Sequence, residues 1–379
     1  MKFLIAGGGT AGHINPALAI AGEIKTRQPD AEIRFVGTPW GMESRLVPQA
    51  GFAFSPMKVA GFQRKISLEN IKRNAQAVWY LSQSTAAAMK IINEFEPDVA
   101  VGAGGYVSGP IMRQAAIMGV PLVIHEQNAF PGVTTKMLSK YAARICVASA
   151  AARERIERNR EFDDDKFCVT GNPIRQDILA YDKGRARKEL KIDDRPLVLS
   201  FGGSLGARAI NESILELLEN SAENKKFNHI HGYGQYGGFV PERLREAGIE
   251  PESAPNLDVR EYINDMPRAM AAADLIICRA GAITLSELEA VGKPSILIPS
   301  PNVAENHQYH NAMELARRGA AVVIPESDLT PALLRKRCEK LLGDRKRLRR
   351  MAEAAHRMAI TDAAERIYDC VIEAIEIRN

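Results

Sequence analysis

Cysteine is scarce in this chain of 379 residues, and neither sign of charge predominates. The five cysteines stand singly and form no Cys-x-x-Cys pair, which argues against a zinc site, a redox motif or a disulfide scaffold. Isolated cysteines fit a reducing cytosol. Lys and Arg number 50 against 46 Asp and Glu, an excess too small to indicate a nucleic-acid-binding protein.

Long apolar runs are also missing. No stretch of 18 consecutive apolar residues occurs, so we expect no membrane-spanning helix. The apolar run at 3–6 ends in glycines and is too short for the core of a secretory signal. The composition is otherwise globular, with 46% hydrophobic and 25% charged residues, and the length suits two or three domains.

Short apolar runs alternate with stretches of helical periodicity along the whole chain. The clearest runs are 3–6, 33–36, 99–101 and 122–124. Continuous apolar strands separated by helices indicate an α/β protein whose parallel sheets are covered on both faces.

The same order of features occurs twice. A strand, a glycine-rich loop and a helix open each half, with the loops at 7–12 and 202–206 and the helices from about Asn15 and Ala207. Later in each half a strand ends in glycines and is followed by a helix and a Gly-x-Pro turn. This repeat predicts two doubly wound domains, with the bounds 1–172 (completed by the C-terminal helix 362–379) and 173–361.

The glycine-rich loops suit phosphate binding, because backbone N–H groups can approach the ligand at a helix amino terminus. The first loop matches Gly-x-Gly-x-x-Gly, but the next strand runs into Gly37-Thr38 without the acidic residue that binds ribose in NAD enzymes. No Walker-type lysine follows either loop. An NAD-linked oxidoreductase and a P-loop nucleotidase are therefore disfavoured.

Polar residues follow two of the predicted strands of the first half. His13 comes directly after the first loop, where the helix dipole disfavours imidazolium. A neutral ring there can act as a general base, or it can simply bond to the loop. The run His125-Glu126-Gln127-Asn128 follows the strand 122–124, at the strand end where α/β proteins bind ligands.

Two segments of the second half carry further candidates. In 279–287, small residues allow close approach of a ligand, and Glu287 could accept hydrogen bonds from a ribose diol or merely compensate the helix dipole. His307 and His310 have the spacing of a helical pair, but no third metal ligand is evident nearby. Sugar recognition by the neighbouring amide side chains is favoured over a metal.

Six basic residues and one acidic residue lie within 58–90, around apolar side chains. A basic rim around apolar residues suits an anionic phospholipid surface. An amphipathic helix with its apolar face in the core fits the same pattern. The apolar residues are Ile66, Leu68, Ile71, Val78, Trp79, Tyr80 and Leu81.

Taken in order, these motifs resemble the MurG family, the UDP-N-acetylglucosamine–N-acetylmuramyl-(pentapeptide) pyrophosphoryl-undecaprenol N-acetylglucosamine transferases. The resemblance covers nearly the whole chain and implies a GT-B fold, two Rossmann-like domains with a cleft between them. It implies inverting transfer of N-acetylglucosamine from UDP-N-acetylglucosamine to lipid I, giving lipid II, without metal or cofactor. The motifs that carry it are 7–13, 104–110, 125–128, 171–175, 202–207, 279–287 and His307-Gln308.

The resemblance also implies residue roles. His13 matches the family's proposed base, and the acceptor is expected at Gly104, Gly105, Tyr106 and Glu126. Uracil is expected near Ile263, ribose on Glu287 and diphosphate near Ser204. The full set of expected donor-binding residues is Thr10, Ala11, Gly12, Asn128, Arg175, Ser204, Ile263, Ala282, Ile283, Thr284, Leu285, Ser286, Glu287 and Gln308.

A peripheral location on the cytoplasmic face of the bacterial inner membrane is implied as well, with cell-wall assembly proteins as further partners. Two departures from the family pattern stand out. Ala11 replaces a common glycine and would strain the loop if its φ were positive. The stretch 299–305 is about one residue longer than in some members, which can shift the register of His307 and Gln308 by one.

Three other functions fit part of the pattern. A diacylglycerol glycosyltransferase would share the glycine-rich loops and the basic-apolar segment. A hexosamine 2-epimerase would have similar halves but would need no lipid acceptor. A non-catalytic binding module is disfavoured by two phosphate-type loops together with His13 at a helix terminus.

Overall fold

The computed structural model describes residues 1–59, 68–158 and 162–377, with side chains described in these ranges except at 68–78, 81, 82 and 176. By backbone contacts the chain divides into two compact units. Unit 1 comprises Met1–Ile174 together with Thr361–Asn379, and unit 2 comprises Arg175–Ile360.

Unit 1 contains a parallel sheet covered by helices. Its strands are β1 (Lys2–Ala6), β2 (Glu32–Gly37), β3 (Ala53–Pro56), β4 (Val99–Gly102), β5 (Leu122–Glu126), β6 (Arg144–Val147) and β7 (Phe167–Val169). The helices between them are α1 (Ala11–Arg27), α2 (Glu43–Gln49), α3 (Leu68–Phe95), α4 (Ser108–Ile117), α5 (Val133–Leu138) and α6 (Ala150–Glu157). The strands lie in the order β3-β2-β1-β4-β5-β6-β7, and each neighbouring pair is parallel.

Unit 2 repeats this architecture. Its strands are β8 (Leu197–Phe201), β9 (Asn228–Gly232), β10 (Leu257–Arg260), β11 (Leu275–Cys278), β12 (Ser295–Leu297) and β13 (Ala321–Val323). Its helices are α7 (Lys183–Glu189), α8 (Arg208–Asn224), α9 (Phe239–Glu246), α10 (Met266–Ala272), α11 (Ala282–Val291), α12 (His307–Arg317), α13 (Pro331–Leu342) and α14 (Arg345–His356). The strand order is β10-β9-β8-β11-β12-β13, again parallel throughout.

Both sheets reverse their winding at the equivalent place, between β1 and β4 in unit 1 and between β8 and β11 in unit 2. Doubly wound sheets bind ligands outside the carboxyl ends of the strands at such a reversal. The glycine-rich loops 7–12 and 202–206 follow β1 and β8, so both lie at this position. The predicted α/β class with two doubly wound parallel sheets is confirmed.

The central strands are apolar along their whole length because both of their faces are buried. In β1, Phe3 and Ile5 pack on one side of the sheet with the core residues of α1. Leu4 and Ala6 pack on the other side with those of α4. Successive side chains of a strand point to opposite faces, so a strand between two helical layers reads as a continuous apolar run.

The last helix of the chain, α15 (Ala363–Glu376), is part of unit 1. It packs on α1 and β6, and ion pairs of 3.1 Å link Arg27 to Glu365 and Arg144 to Glu373. The exposed pair of Arg27 and Glu365 contributes little stability, and the main support of the helix is its apolar stripe. The buried residues of the stripe include Ile367, Cys370, Val371 and Ala374.

Helix α1 begins at Ala11, so the predicted start near Asn15 is wrong by four residues. Gly12 is a poor helix former, and Pro16 favours the first helical position, so both residues argued for a later start. Pro16 is accommodated near the amino end, where its missing N–H removes only the bond to the Gly12 carbonyl. His13 is therefore in the first turn of the helix rather than ahead of it.

The basic-apolar segment 58–90 lies largely outside the described residues, because residues 60–67 and the side chains of 68–78 are not described. Within the described part, the Trp79 side chain is 62% exposed. The rings of Trp40 and Tyr80 pack with their centroids 5.7 Å apart. Within the described ranges, no helix is both long enough and apolar enough to cross a bilayer.

Two buried histidines of β9 share one hydroxyl in the interior of unit 2. The Ser200 Oγ on β8 lies 2.8 Å from His229 Nε2 and 2.8 Å from His231 Nδ1. Burial lowers the pKa of His231 to about 4 and that of His229 well below its ordinary value. Both rings are therefore neutral in the folded protein at neutral pH.

Because these histidines are buried and neutral, we expect acid to destabilise the folded protein. The unfolded chain takes up protons near pH 6.5 and the folded His231 only near pH 4, so the free energy of unfolding falls as the pH drops through this window. Over the whole window, His231 lowers the free energy of unfolding by about 3 kcal/mol. Urea unfolding of the wild type and of His231→Gln, at neutral pH and at pH 5, measures it. The variant should lose less stability on acidification, and equal losses would contradict the assignment.

Candidate active site

The two glycine-rich loops of unit 1 follow β1 and β4 and touch through their backbones. A Cβ on Gly105 would come within 2.2 Å of the Gly8 carbonyl oxygen. Gly104 and Gly105 have φ values of 92° and 84°, which favour glycine in any case. The Tyr106 ring covers Gly9, where a Cβ would lie 3.0 Å from the ring edge. The predicted acceptor loop therefore lies directly against the first glycine-rich loop.

Glu43, which the sequence analysis missed, occupies this first loop. Its buried carboxylate accepts hydrogen bonds from Gly9 N at 3.1 Å, Thr38 N at 3.0 Å and Thr38 Oγ1 at 2.7 Å. Burial opposes the charged form, but these donors outweigh it and keep the pKa of Glu43 below its ordinary value. The Gly9 N–H, which could otherwise bind a phosphate, thus donates to Glu43. Glu43 belongs to none of the motifs identified in the sequence.

His13 lies in the first turn of α1, next to the loop that follows β4. Its backbone N–H donates to the Thr10 carbonyl at 3.0 Å, and its ring Nδ1 lies 3.1 Å from Gln127 Oε1. The ring also presses on Gly104, where a Cβ would come within 2.6 Å of Nδ1. The predicted base and the predicted acceptor loop are therefore neighbours.

The run 125–128 at the end of β5 is internally bonded. The buried His125 ring has Nε2 3.0 Å from the Gly171 carbonyl, and burial lowers its pKa to about 4. The Glu126 carboxylate accepts from Asn128 N and Nδ2 at 3.0 and 3.1 Å and from Gly132 N at 3.0 Å. Glu126 therefore organises its own loop, and its contact with an acceptor stays a prediction.

Thr10, Ala11 and Gly12 form the amino end of α1, with Thr10 as the N-cap and Ala11 as the first helical residue. The positive φ of this loop falls on Gly9, at 84°. Ala11 has helical backbone angles, so its methyl group is accepted without strain. The departure from the family's glycine leaves the loop geometry intact.

The glycine-rich loop of unit 2 also packs closely against a neighbouring backbone. Gly203 and Gly206 have φ values of 95° and 83°, and a Cβ on Gly206 would lie 2.3 Å from the Tyr233 carbonyl oxygen. Helix α8 begins just beyond, at Arg208, and the first N–H groups of a helix have no partner within it. Ser204 is exposed in this loop, ahead of those N–H groups.

Two predicted donor-binding residues that are far apart in the sequence meet in unit 2. Arg175 Nε lies 3.5 Å from Glu287 Oε1, and Glu287 is mostly buried on α11. Burial raises the pKa of Glu287, while the Arg175 charge opposes the rise. The predicted residues 282–286 form the amino end of α11 and are half-buried, except that the side chain of Leu285 lies in the core. Leu285 can meet a ligand only through its backbone.

The remaining predicted donor residues are fixed by their own neighbours. Ile263 follows β10 and is buried against Gly232, where a Cβ would lie 3.0 Å from its side chain. Gln308 is the second residue of α12, and its Oε1 accepts from Ser300 N at 2.9 Å. The stretch ahead of it turns through two left-handed residues, Glu305 and Asn306.

Most of each unit matches a domain of a known protein family. Residues 3–147 match the glycosyltransferase family 28 N-terminal domain, and residues 197–367 match the glycosyltransferase family 28 C-terminal domain. With two doubly wound parallel sheets, each carrying a glycine-rich loop where its winding reverses, the chain has the GT-B glycosyltransferase fold.

Similar proteins narrow the family further. UDP-N-acetylglucosamine–N-acetylmuramyl-(pentapeptide) pyrophosphoryl-undecaprenol N-acetylglucosamine transferases from Acetivibrio thermocellus and Thermoanaerobacter sp. are 48% and 44% identical, over 98% of this chain and 97% and 99% of theirs. The crystal structure of Acinetobacter baumannii MurG superimposes with a TM-score of 0.75 at 30% identity, covering 98% of this chain and 99% of that one. The chain belongs to this family, the MurG transferases.

A second enzyme class shares the fold. The UDP-GlcNAc 2-epimerase from Neisseria meningitidis, whose structure contains UDP-GlcNAc, superimposes with a TM-score of 0.66 at 13% identity, covering 98% of this chain and all of that one. At that identity the likeness concerns the fold alone.

The role of Glu43 can be tested by Glu43→Gln. The substitution keeps the shape but turns one acceptor oxygen into a donor that faces the N–H groups of Thr38 or Gly9. We expect a loss of about 1–3 kcal/mol in the free energy of unfolding, measured in urea. Glu32→Gln, which changes an exposed carboxylate on β2, is the matched control. Equal losses in the two variants would show that the loop does not depend on this carboxylate.

Proposed function

We propose that this chain transfers N-acetylglucosamine from UDP-N-acetylglucosamine to the 4-hydroxyl of the muramyl sugar of lipid I, undecaprenyl-pyrophosphoryl-N-acetylmuramyl-pentapeptide, giving lipid II. The observation that carries the proposal is the position of His13, a histidine in the first turn of a helix with its ring against Gly104. Relatives that align over nearly the whole chain bear the name of this transferase.

In the proposed step the acceptor hydroxyl attacks the anomeric carbon of the donor. His13 Nε2 takes the hydroxyl proton as the new C–O bond forms. The bond between the anomeric carbon and the UDP oxygen breaks, and its electron pair leaves with UDP. A single displacement of this kind inverts the anomeric configuration. General-base catalysis by a positioned imidazole suits an alcohol, which is a weak nucleophile while it keeps its proton.

UDP leaves with negative charge on its diphosphate, and the proposal assigns that charge to the loop 202–206 and the amino end of α8. Backbone N–H groups without helical partners and the helix dipole both favour an anion there. The exposed Ser204 adds a hydroxyl donor. Fixed dipoles aimed at developing charge are a large source of rate enhancement.

The proposal assigns the nucleoside and the sugar to other parts of unit 2. Glu287 accepts hydrogen bonds from the ribose hydroxyls, and the Arg175 charge opposes the rise that burial causes in its pKa. Ile263, whose side chain is buried, meets the uracil through its backbone, and Gln308 bonds to a sugar hydroxyl. The pyrophosphate of the acceptor is assigned to the loop 104–106, where Gly104 and Gly105 carry no side chain to keep a ligand from the backbone N–H groups.

In this proposal the predicted domain 1–172, together with helix 362–379, binds the acceptor and the membrane surface. The predicted domain 173–361 binds the UDP-sugar. A lipid-linked acceptor requires the enzyme to work at the cytoplasmic face of the bacterial inner membrane, as a peripheral protein. The basic-apolar segment 58–90 would supply the contact with anionic phospholipid. Cell-wall assembly proteins remain further expected partners.

Release of UDP by the purified protein tests the proposal. We expect release that requires a lipid I analogue, is not replaced by diacylglycerol and persists in EDTA. His13→Ala should lower the turnover number by about 10²–10⁴-fold. His356→Ala, which removes an exposed histidine of α14, should leave it unchanged.

Two outcomes would overturn the assignment. Release with diacylglycerol instead of the lipid I analogue would make the chain a glycolipid synthase with the same fold. Interconversion of UDP-N-acetylglucosamine with its 2-epimer in the absence of any acceptor would make it an epimerase. Near-normal turnover of His13→Ala at saturating substrates would show that His13 is not the base, and it would leave the assignment of the substrates unchanged.

Membrane association can be tested with vesicles. We expect the protein to sediment with vesicles rich in phosphatidylglycerol and to be released by salt, since exposed charges are screened. Trp79→Ala should weaken this association because the ring is exposed in the segment concerned. Tyr236→Ala, which removes a 73% exposed aromatic ring of unit 2, is the control. Absence of binding at every salt concentration would contradict a peripheral location.

A further inference from the structure

The side chain of Gln127 has a defined orientation because two backbone carbonyls face one end of it. The end assigned as Nε2 lies 2.9 Å from the Ala103 carbonyl oxygen and 3.3 Å from that of His125. Carbonyl oxygens only accept hydrogen bonds, so the reversed amide would set oxygen against two oxygens. The NH₂ group therefore points toward Ala103, and Oε1 points the other way.

The neighbouring ring of His125 agrees with this orientation. Its Nε2 lies 3.0 Å from the Gly171 carbonyl oxygen, so Nε2 carries the proton. With the ring neutral, Nδ1 has a free lone pair, and it lies 3.0 Å from Gln127 Nε2. The second amide hydrogen of Gln127 is donated there. Both ends of the network are thus fixed by backbone carbonyls, and the hydrogen-bonding direction is the same throughout.

The remaining end of Gln127 fixes the tautomer of His13. Oε1 can only accept, and it lies 3.1 Å from His13 Nδ1. That nitrogen must therefore carry the proton, which leaves a lone pair on Nε2. We propose that Gln127 is a positioning residue that holds His13 in the Nδ1-protonated tautomer, with Nε2 available to accept the proton of the sugar hydroxyl. The proposal rests on the proposed function for what the lone pair does, but the tautomer itself does not.

A neutral amide suits this position. When Nε2 takes the proton, the ring becomes an imidazolium that still donates Nδ1–H to the same oxygen, so no hydrogen bond has to rearrange. The same edge of the ring packs against Gly104, where a Cβ would lie 2.6 Å from His13 Nδ1 and 3.4 Å from Gln127 Oε1. The buried side chain of Gln127, 3% exposed, is fixed by the contacts already described. Orientation is thus supplied by fixed groups rather than by a neighbouring charge.

The tautomer can be read directly by nitrogen NMR of the whole protein labelled with ¹⁵N-histidine. Protonated and unprotonated ring nitrogens have well separated shifts, and loss of one ring system in His13→Asn assigns the signals. We expect the neutral ring of His13 to be protonated at Nδ1 and unprotonated at Nε2. Protonation at Nε2 instead would overturn the proposal, whatever the enzyme transfers.

Two substitutions of Gln127 separate positioning from folding. Gln127→Met keeps the size but removes the acceptor, so we expect mixed His13 tautomers and a turnover number about 10- to 100-fold lower, with the KM for UDP-N-acetylglucosamine little changed. Gln127→Glu keeps an acceptor for Nδ1–H when its other oxygen is protonated and donates to the Ala103 carbonyl, so the Nδ1-protonated tautomer should persist. Gln114→Met, the same change at another buried glutamine of unit 1, should alter neither the tautomer nor the turnover number.

The outcomes distinguish the possible failures. An unmixed Nδ1-protonated signal in Gln127→Met would show that Gln127 does not set the tautomer. Equal losses of turnover in Gln127→Met and Gln114→Met would assign the effect to packing. If the tautomer behaves as expected while His13→Ala retains full transfer activity, the positioning of His13 stands and its proposed role as base fails.

Discussion

The arrangement of unit 1 depends on one close contact, the approach of the loop after β4 to the loop after β1. The backbones meet at Gly8 and Gly105, at a distance that leaves no room for a Cβ. Because the loops touch, His13 on α1 comes to lie against Gly104, and the Tyr106 ring closes over Gly9. Close packing of this kind tolerates very little added volume. The glycines here are therefore fixed by sterics, in addition to any ligand that their N–H groups bind.

The glycine-rich loops of the two units are held by different groups. In unit 1 the first loop is held by the charged carboxylate of Glu43, and the histidine beside it is held by a neutral amide. In unit 2 the equivalent loop packs on the Tyr233 carbonyl, and helix α8 begins just beyond it. This difference matches the division of labour that we propose, a base in unit 1 and a site for a departing diphosphate in unit 2.

Much of this was predictable from sequence. Continuous apolar strands and the repeated loop pattern predict two doubly wound sheets, and the same strand order in both confirms this. The start of α1 was mistaken because Gly12 and Pro16 carry local signals that the tertiary structure overrides. Glu43 was missed, and so was the contact between Gln127 and His13, because each joins groups that are distant in the sequence. Glu43 contacts Gly9, 34 residues away, and Gln127 contacts His13, 114 residues away. Motif spacing locates a strand end, but only packing shows which side chains share a hydrogen bond there.

The anomeric configuration of the product tests the central claim most directly, namely that a single neutral base acts on the acceptor while UDP departs. The donor sugar is α-linked to its diphosphate, so one displacement gives a β-linked disaccharide. Proton NMR of the product from a water-soluble lipid I analogue distinguishes the linkages by the coupling of the anomeric proton. A β linkage is the predicted result. An α linkage would rule out direct displacement of UDP from the opposite face, and it would contradict the step in which His13 acts as the base.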